Sequence, residues 1–281
     1  MVVGISTMIL GEEEKELDRD DILFLKKSGL SYIELSNYHR LNDEIVDYLK
    51  QSDMAFYSIH AEYNDCDISG IDPAIRKRGI EDALKRVDIA SRYGAGILVI
   101  HPGGWFGDNS GDKRTQNCID SLVKISNYAG ARNIKIAIEN LPMGFFGEDI
   151  NTLDIIFKEV RKQVDNADNI GICLDTGHAH LTGNLYELLT KFKDYIITMH
   201  IQDNHGDNKK NRAKALDDLH LPPGHGQISW DDFFKYLGKI DYQGALIFEL
   251  KGESIKGKDK NFIIDKLNEF VHLNSFVKKK I

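Results

Sequence analysis

Several features that mark membrane or secreted proteins are missing from this chain. The longest stretch without Asp, Glu, Lys or Arg, residues 93–107, contains a histidine, a proline and several glycines, so it is too short and too polar to span a bilayer. The amino terminus has an early acidic block in place of the basic start of a secretory signal. The three cysteines, Cys66, Cys118 and Cys173, are far apart and match no zinc or redox motif. We therefore expect a protein of the reducing cytoplasm with no membrane partner.

An excess of positive charge is also missing. The 281 residues carry 36 Lys and Arg against 44 Asp and Glu, for a net charge of −8. This balance argues against broad electrostatic binding to nucleic acid, although a local basic groove would escape the test. The sequence shows no short repeat and no low-complexity segment. What remains is the composition of an ordinary globular protein.

Short β-branched and aliphatic runs alternate with longer helical patterns along the whole chain. The clearest helix is predicted over residues 73–93, where a proline occupies the first turn, apolar residues share one face and Gly94 follows. The strands are predicted at residues 2–6, 32–35, 56–60, 97–101, 135–139, 170–175, 196–201 and 245–250. The other helices are predicted near residues 18–27, 43–50, 115–129, 152–163, 185–192, 230–237 and 261–276.

Eight strands, each followed by a helix, predict an α/β fold: a (β/α)8 TIM barrel forming one domain over residues 1–281. A doubly wound open sheet is the alternative. The eight regular units and the lack of a glycine-rich phosphate-binding motif after the first strand disfavour it.

Residues able to bind metal lie at the ends of six successive predicted strands. In a parallel barrel these ends meet at one mouth, above an apolar core where an unpaired carboxylate or imidazole would cost several kcal/mol. A divalent cation would remove that cost. The sequence therefore predicts a metal site formed by His60, His101, Glu139, Asp175, His200 and Glu249.

Two shorter segments extend the predicted site. In LDTGHAH, Asp175 and His178 stand three residues apart across what reads as a sharp strand-to-loop turn. In DDLHLPPGHGQISW, Asp218 and His220 have the spacing that places both side chains on one side of an extended segment. The remaining histidines, His39, His180, His205, His225 and His272, are expected to be structural or exposed.

The runs IENLP, GICLDTGHAHLTG, MHIQDN, DLHLPPGHGQISW and IFEL resemble the xylose isomerase-like barrels. This superfamily includes sugar and sugar-phosphate isomerases and epimerases and the apurinic endonuclease IV branch. The resemblance covers nearly the whole chain. One departure is the Gly-His-Gly of residues 224–226, where many relatives have Gly-Glu-Gly.

The resemblance implies two different metal sites. Ketose epimerases imply one divalent ion held by Glu139, Asp175, His200 and Glu249, with His178 near the substrate oxygens. Endonuclease IV implies three zinc ions, with Glu139 bridging two of them. That larger set adds five residues to the same four: His60, His101, His178, Asp218 and His220.

The preferred interpretation is a metal-dependent isomerase or epimerase of a small sugar or sugar phosphate. The metal, Mn²⁺, Mg²⁺, Co²⁺ or Zn²⁺, would stabilise an enediolate while Glu139 and Glu249 transfer the proton. The alternative is a zinc phosphodiesterase acting on abasic DNA, in which the carboxylates bridge two or three ions. A non-catalytic sugar-binding barrel is a third possibility.

Loops between the predicted elements supply candidate substrate contacts. Trp105 and Phe106 in HPGGWFG, and Phe145 and Phe146 in LPMGFFGED, lie between glycines and suit a lid that stacks on a sugar. The basic run KKNRAK, residues 209–214, would suit a sugar phosphate or a DNA backbone, but the aspartates around it favour a solvated charged loop.

Overall fold

Eight parallel strands close into a barrel in the computed structural model, which describes residues 2–61, 66–105, 111–206, 218–252 and 259–273. The order around the barrel is β1, β3, β5, β6, β7, β8, β9 and β10, with β10 closing against β1. The strands are β1 Val3–Ser6, β3 Tyr32–Leu35, β5 Ala55–His60, β6 Ile97–Ile100, β7 Lys135–Glu139, β8 Ile170–Asp175, β9 Ile196–Ile201 and β10 Ala245–Phe248. The predicted TIM barrel is confirmed.

Helices connect successive barrel strands. Within the described residues they are α1 Arg19–Lys26, α2 Asp43–Lys50, α3 Pro73–Tyr93, α4 Gly111–Gly130, α5 Ile150–Gln163, α6 Thr176–Thr182, α7 Leu185–Lys191, α8 Trp230–Lys239 and α9 Lys260–Leu273. Two 3₁₀ turns add residues Thr7–Leu10 and Ala167–Asn169. None of the helices in these ranges is long and apolar enough to cross a membrane.

Local sequence signals explain where the elements begin and end. Asp72 caps α3 by accepting the amide N–H of Ala74, Pro73 occupies its first turn, and Gly94 ends it with φ 79°. The barrel strands are buried on both faces, as their continuous apolar runs predict. The three cysteines are free thiols, and location in the cytoplasm stays a prediction.

Besides the two 3₁₀ turns, the structure adds two strands and a helix that the sequence does not predict. The strands β2 Lys15–Glu16 and β4 His39–Arg40 form a small parallel sheet outside the barrel. The helix α6 begins directly after β8, where the sequence suggests a loop. The strands β6 and β10 also end earlier than predicted, so His101 and Glu249 lie one residue beyond a strand.

Candidate metal centre

The ends of the barrel strands bring the predicted ligands to one mouth. His60, Glu139 and Asp175 are the last residues of β5, β7 and β8. His200 lies one residue before the end of β9 and pairs in register with Asp175. The convergence that the sequence predicts from strand ends is therefore present in the structure.

The central ligand group combines three carboxylates and one imidazole. One ligand atom from each of Glu139, Asp175, His200 and Glu249 lies within 4.8 Å of the others, and all four residues are buried. His200 Nδ1 is 3.2 Å from Glu139 Oε1 and 3.2 Å from Glu249 Oε2. Three carboxylates packed this closely repel one another, and a divalent cation would relieve that repulsion.

A second group shares Glu139 with the central group. His60 Nε2 is 3.1 Å from Glu139 Oε2, and His101 Nε2 is 3.3 Å from the same oxygen. The other oxygen, Oε1, faces His200, so the two oxygens of one carboxylate face two different ligand groups. A carboxylate placed in this way would be able to hold two ions.

A third group lies beside the first two and uses His178, Asp218 and His220. Asp218 Oδ2 is 3.2 Å from His178 Nε2 and 2.9 Å from His220 Nε2. All nine predicted metal-binding residues therefore belong to three adjoining groups.

The imidazole rings are anchored by the nitrogen that faces away from each group. His60 Nδ1–H donates to the carbonyl oxygen of Ala61 at 2.7 Å. His178 and His220 donate in the same way to the carbonyl oxygens of Asn140 and Glu249, both at 3.0 Å. A carbonyl only accepts, so once a ring is neutral its other nitrogen carries the lone pair that would bind a metal ion. Metal-binding histidines show this pattern.

Glu34 is a site residue that the sequence analysis missed. It lies on β3, is fully buried, and its Oε2 is 3.1 Å from His200 Nε2. The same oxygen accepts a hydrogen bond from Ser58 Oγ at 2.7 Å. Glu34 therefore anchors His200 as the carbonyls anchor the other rings, leaving Nδ1 for the central group.

Asp175 has a structural role as well as a place in the central group. Its Oδ1 accepts the backbone N–H of His178 at 2.6 Å, which caps α6. The expected strand-to-loop turn is therefore a strand-to-helix junction. It still brings Asp175 and His178 together, because the helical turn folds position 178 back over position 175.

The segment carrying Asp218 and His220 is not extended as expected, because His220 has φ 45°. The side chains meet nonetheless. The buried carboxylate of Asp203 fixes the following loop, accepting hydrogen bonds from the backbone N–H groups of Gly224 and Ile228 and from Trp230 Nε1. That anchor holds the third group against the barrel.

Burial and charge act in opposite directions on the metal-free site. Burial raises the pKa of Glu139, but the charge of His200 and hydrogen bonds from His101 and His178 outweigh it and hold that pKa well below its usual range. Burial lowers the pKa of His178, yet Asp175 and Asp218 raise it well above its usual value. Burial raises the pKa of Asp175 to about 6. In the metal-free protein, protons on imidazoles balance the carboxylates.

These residues fit divalent cations. Oxygen donors from carboxylates suit Mg²⁺ and Mn²⁺, and the added imidazoles favour Zn²⁺. Cys173 also lies within 4.8 Å of Glu139 and His200, but burial raises the pKa of its thiol strongly. We therefore assign the central group to the three carboxylates and His200.

The aromatic residues expected to contact substrate separate into two kinds. Phe145 lines the cavity at the mouth and makes an edge-to-face contact with exposed Trp105, with ring centroids 5.2 Å apart. Phe146 is buried instead, with the Arg114 guanidinium 4.8 Å from its ring centroid. Phe146 thus has the position of a residue that supports the loop. Phe106 and the basic run 209–214 lie outside the described residues.

The remaining histidines lie away from the three groups. His39 is buried, and its Nδ1 lies 2.8 Å from Ser36 Oγ and 2.9 Å from Thr7 Oγ1. His205 and His272 are exposed, and His180 and His225 are half-buried.

A cavity of about 160 Å³ opens above the groups, lined by His60, His101, Glu139, His178, Asp218, His220 and Glu249 together with Met8, Asn37, Pro142, Phe145 and Lys251. Among these described lining residues, Lys251 is the one lysine or arginine. Its Nζ is 3.3 Å from Glu12 Oε1.

A family profile for xylose isomerase-like TIM barrels matches residues 22–270. The chain belongs to this family. An uncharacterized protein of Methanocaldococcus jannaschii is 28% identical over 96% of this chain and 100% of its own length. A probable endonuclease 4 of Acholeplasma laidlawii is 28% identical over 67% of this chain and 64% of its own length.

Solved structures share the fold. A D-tagatose 3-epimerase-like protein superposes with a TM-score of 0.75 at 24% identity, covering 100% of this chain and 99% of its own. The IolI protein, solved with a bound zinc atom, gives a TM-score of 0.75 at 20% identity and the same coverage. At these identities the likeness establishes the fold alone.

Proposed function

We propose that this protein is a phosphoester hydrolase with a centre of three divalent ions. One observation carries the proposal: beside the central group, the mouth holds two further complete ligand groups. In a centre that holds a single ion, these two groups would have no ion to bind. Burying imidazoles and carboxylates without a cation lowers the free energy of unfolding. Two groups that bind no ion would therefore destabilise the fold.

The residues divide the work of this reaction between them. Bound divalent ions would polarise the phosphoester and supply a nucleophile from water at neutral pH. Glu139 would hold two ions at a fixed separation, because its two oxygens face different groups. The anchored rings of His60, His178 and His220 would keep the ligand geometry unchanged as the substrate enters.

Lys251 favours a substrate with an anionic group. Burial acts to lower the pKa of its amine, but the charges of Asp218 and Glu12 outweigh burial and raise that pKa above its usual value. Lys251 therefore stays cationic. Its position at the cavity wall places a positive charge beside the third group. A phosphate oxygen that reaches this group would meet both a divalent ion and an ammonium.

The similarity to a probable endonuclease 4 supports hydrolysis of a phosphoester. Abasic DNA is therefore one substrate to test. A small phosphoester is the other, since the net charge of −8 disfavours broad contact with a DNA backbone.

The test uses zinc-loaded protein with two probes, a duplex containing one abasic site and bis(p-nitrophenyl) phosphate. We expect hydrolysis of at least one probe, loss on chelation, and loss in His220→Ala, which removes one ligand of the third group. Exposed His272→Ala is the matched control. Full hydrolysis by His220→Ala would contradict the proposal.

A sugar isomerase or epimerase is the second candidate. It is favoured by the central group alone, in which Glu139 ends β7 and Glu249 directly follows β10, so that both carboxylates lie beside one candidate ion position. Here one glutamate removes a proton next to a carbonyl and the other returns it. Solvent deuterium entering D-allulose or D-tagatose, and lost in both Glu139→Gln and Glu249→Gln, would support this function. Binding of a sugar without any turnover would point to a non-catalytic barrel.

A further inference from the structure

Two of the three ligand groups are joined by one neutral side chain. The amide nitrogen of Gln202 donates to Asp175 Oδ1 at 3.1 Å, in the central group, and to Asp218 Oδ1 at 3.2 Å, in the third group. Gln202 follows β9 directly and is fully buried. It therefore contacts carboxylates on both sides of the centre without being a ligand.

The surrounding hydrogen bonds fix the orientation of this amide. Two carboxylate oxygens accept from one end of Gln202, so that end is the NH₂ group. The opposite end, Oε1, accepts from Asn204 Nδ2 at 2.9 Å. Asn204 Nδ2 also donates to Asp218 Oδ1 at 3.2 Å, and its own oxygen accepts the backbone N–H of Leu219 at 2.7 Å. Reversing the Gln202 amide would place its oxygen against the carboxylate oxygens at one end and its NH₂ group against the NH₂ group of Asn204 at the other.

The backbone of Gln202 is held independently of its side chain. The hydroxyl of Thr176 donates to the Gln202 carbonyl at 2.7 Å and accepts its N–H at 3.1 Å. Thr176 is the first residue of α6, directly after the ligand Asp175. A substitution at Gln202 therefore removes the amide while the peptide stays anchored.

Gly177 makes the room that this amide occupies. A Cβ at position 177 would overlap with the side-chain oxygen of Gln202 and approach Asn204 Nδ2 to 2.7 Å. The φ of Gly177 is not in the left-handed region, so the small residue is needed for space rather than for backbone conformation. The side chain of Gln202 thus packs directly against Gly177.

We propose that Gln202 is a positioning residue that fixes the distance between the central group and the third group, so that the ions of both bind as a unit. The inference rests on the proposed metal centre but not on the reaction that the centre performs. Without the amide, Asp175 and Asp218 lose their shared donor. Asp218 then keeps only the support of Asn204 and of the ring nitrogens.

The experiment titrates metal-free protein with Co²⁺, followed by its visible absorption, and with Zn²⁺, followed by ion content after desalting. In Gln202→Met, which keeps the length of the side chain, we expect the last ion to bind about 10- to 100-fold more weakly. The central group should keep its ion. Exposed Gln163→Met is the matched control and should bind as the wild type does.

A second variant separates this role from general loss of structure. Gly177→Ala should reproduce the loss by displacing the Gln202 amide. The same substitution made on Gln202→Ala should cost less affinity than it does on the wild type, because only its contact with Asn204 Nδ2 remains. Independent effects of the two substitutions on ion affinity would overturn the inference, as would normal affinity for every ion in Gln202→Met. A wild-type protein that binds no ions would instead overturn the proposed function.

Discussion

His200 Nε2 lies 3.1 Å from Glu34 Oε2, while His200 Nδ1 lies 3.2 Å from both Glu139 Oε1 and Glu249 Oε2. One imidazole thus joins a fully buried carboxylate on one side to the central ligand group on the other. A carboxylate that accepts from the distal ring nitrogen fixes the tautomer and the orientation of a metal-binding histidine.

Glu34→Leu should therefore weaken binding of the central ion by about 10- to 100-fold, because His200 loses its anchor. Glu34→Gln should recover part of that loss, since its amide oxygen still accepts from Nε2–H. A Co²⁺ titration measures both variants, with the exposed Glu81→Gln on α3 as control. Equal affinity in Glu34→Leu and the wild type would show that the contact does not position His200.

Glu139→Gln should reduce the ion content more than His220→Ala does. Glu139 belongs to two ligand groups, whereas His220 belongs to one. Ion content after zinc loading and desalting measures the difference. Equal losses in the two variants would argue against a bridging carboxylate.

Lys251→Met should weaken inhibition by inorganic phosphate about tenfold, the scale of one charge-assisted hydrogen bond of about 1.4 kcal/mol. Ion content should not change, since Lys251 is not a ligand. Lys266→Met, on α9 and outside the cavity, is the control. Unchanged phosphate affinity in Lys251→Met would remove the proposed anion contact.

Metal affinity should fall with decreasing pH. The carboxylates raise the pKa values of His60, His178 and His220, so protons compete with the ions for these rings. Each ring must lose its proton to bind an ion, and affinity should therefore rise with pH until the rings are neutral. Zn²⁺ titrations at a series of pH values test this. A pH-independent affinity would contradict the assignment of these imidazoles as ligands.

His39 should make the protein less stable in acid. Burial lowers its pKa from 6.5 to about 4, so the unfolded chain takes up a proton at a higher pH than the folded protein does. The free energy of unfolding should fall as pH falls from 6.5 to about 4, and this contribution should level off below. Urea unfolding should show a smaller dependence on pH in His39→Gln. His272→Gln, at an exposed position, should retain the wild-type dependence.

The barrel and most of its candidate metal ligands are visible in the sequence because strong local signals mark them. Buried parallel strands are continuous apolar runs, and a histidine or carboxylate that ends such a run stands out, as His60 and Glu139 do. Helix α3 carries its own proline and glycine signals. These features need no knowledge of distant contacts.

The supporting residues lack such signals. Glu34 lies within a four-residue strand, where a glutamate also suits an exposed face, and its partner His200 is 166 residues away. Gln202 is neutral and carries no pattern of its own. Helix α6 has seven residues, including Gly177, so its pattern is too short to distinguish from a loop. Only the folded barrel shows what these residues contact.

The number of ions per chain is the most direct test of the proposed three-ion centre. Metal-free protein would be loaded with Zn²⁺, desalted and measured by elemental analysis against protein concentration. We expect three ions per chain, one for each of the ligand groups around Glu139, Asp175 and Asp218. A single bound ion, or none, at saturating zinc would contradict it.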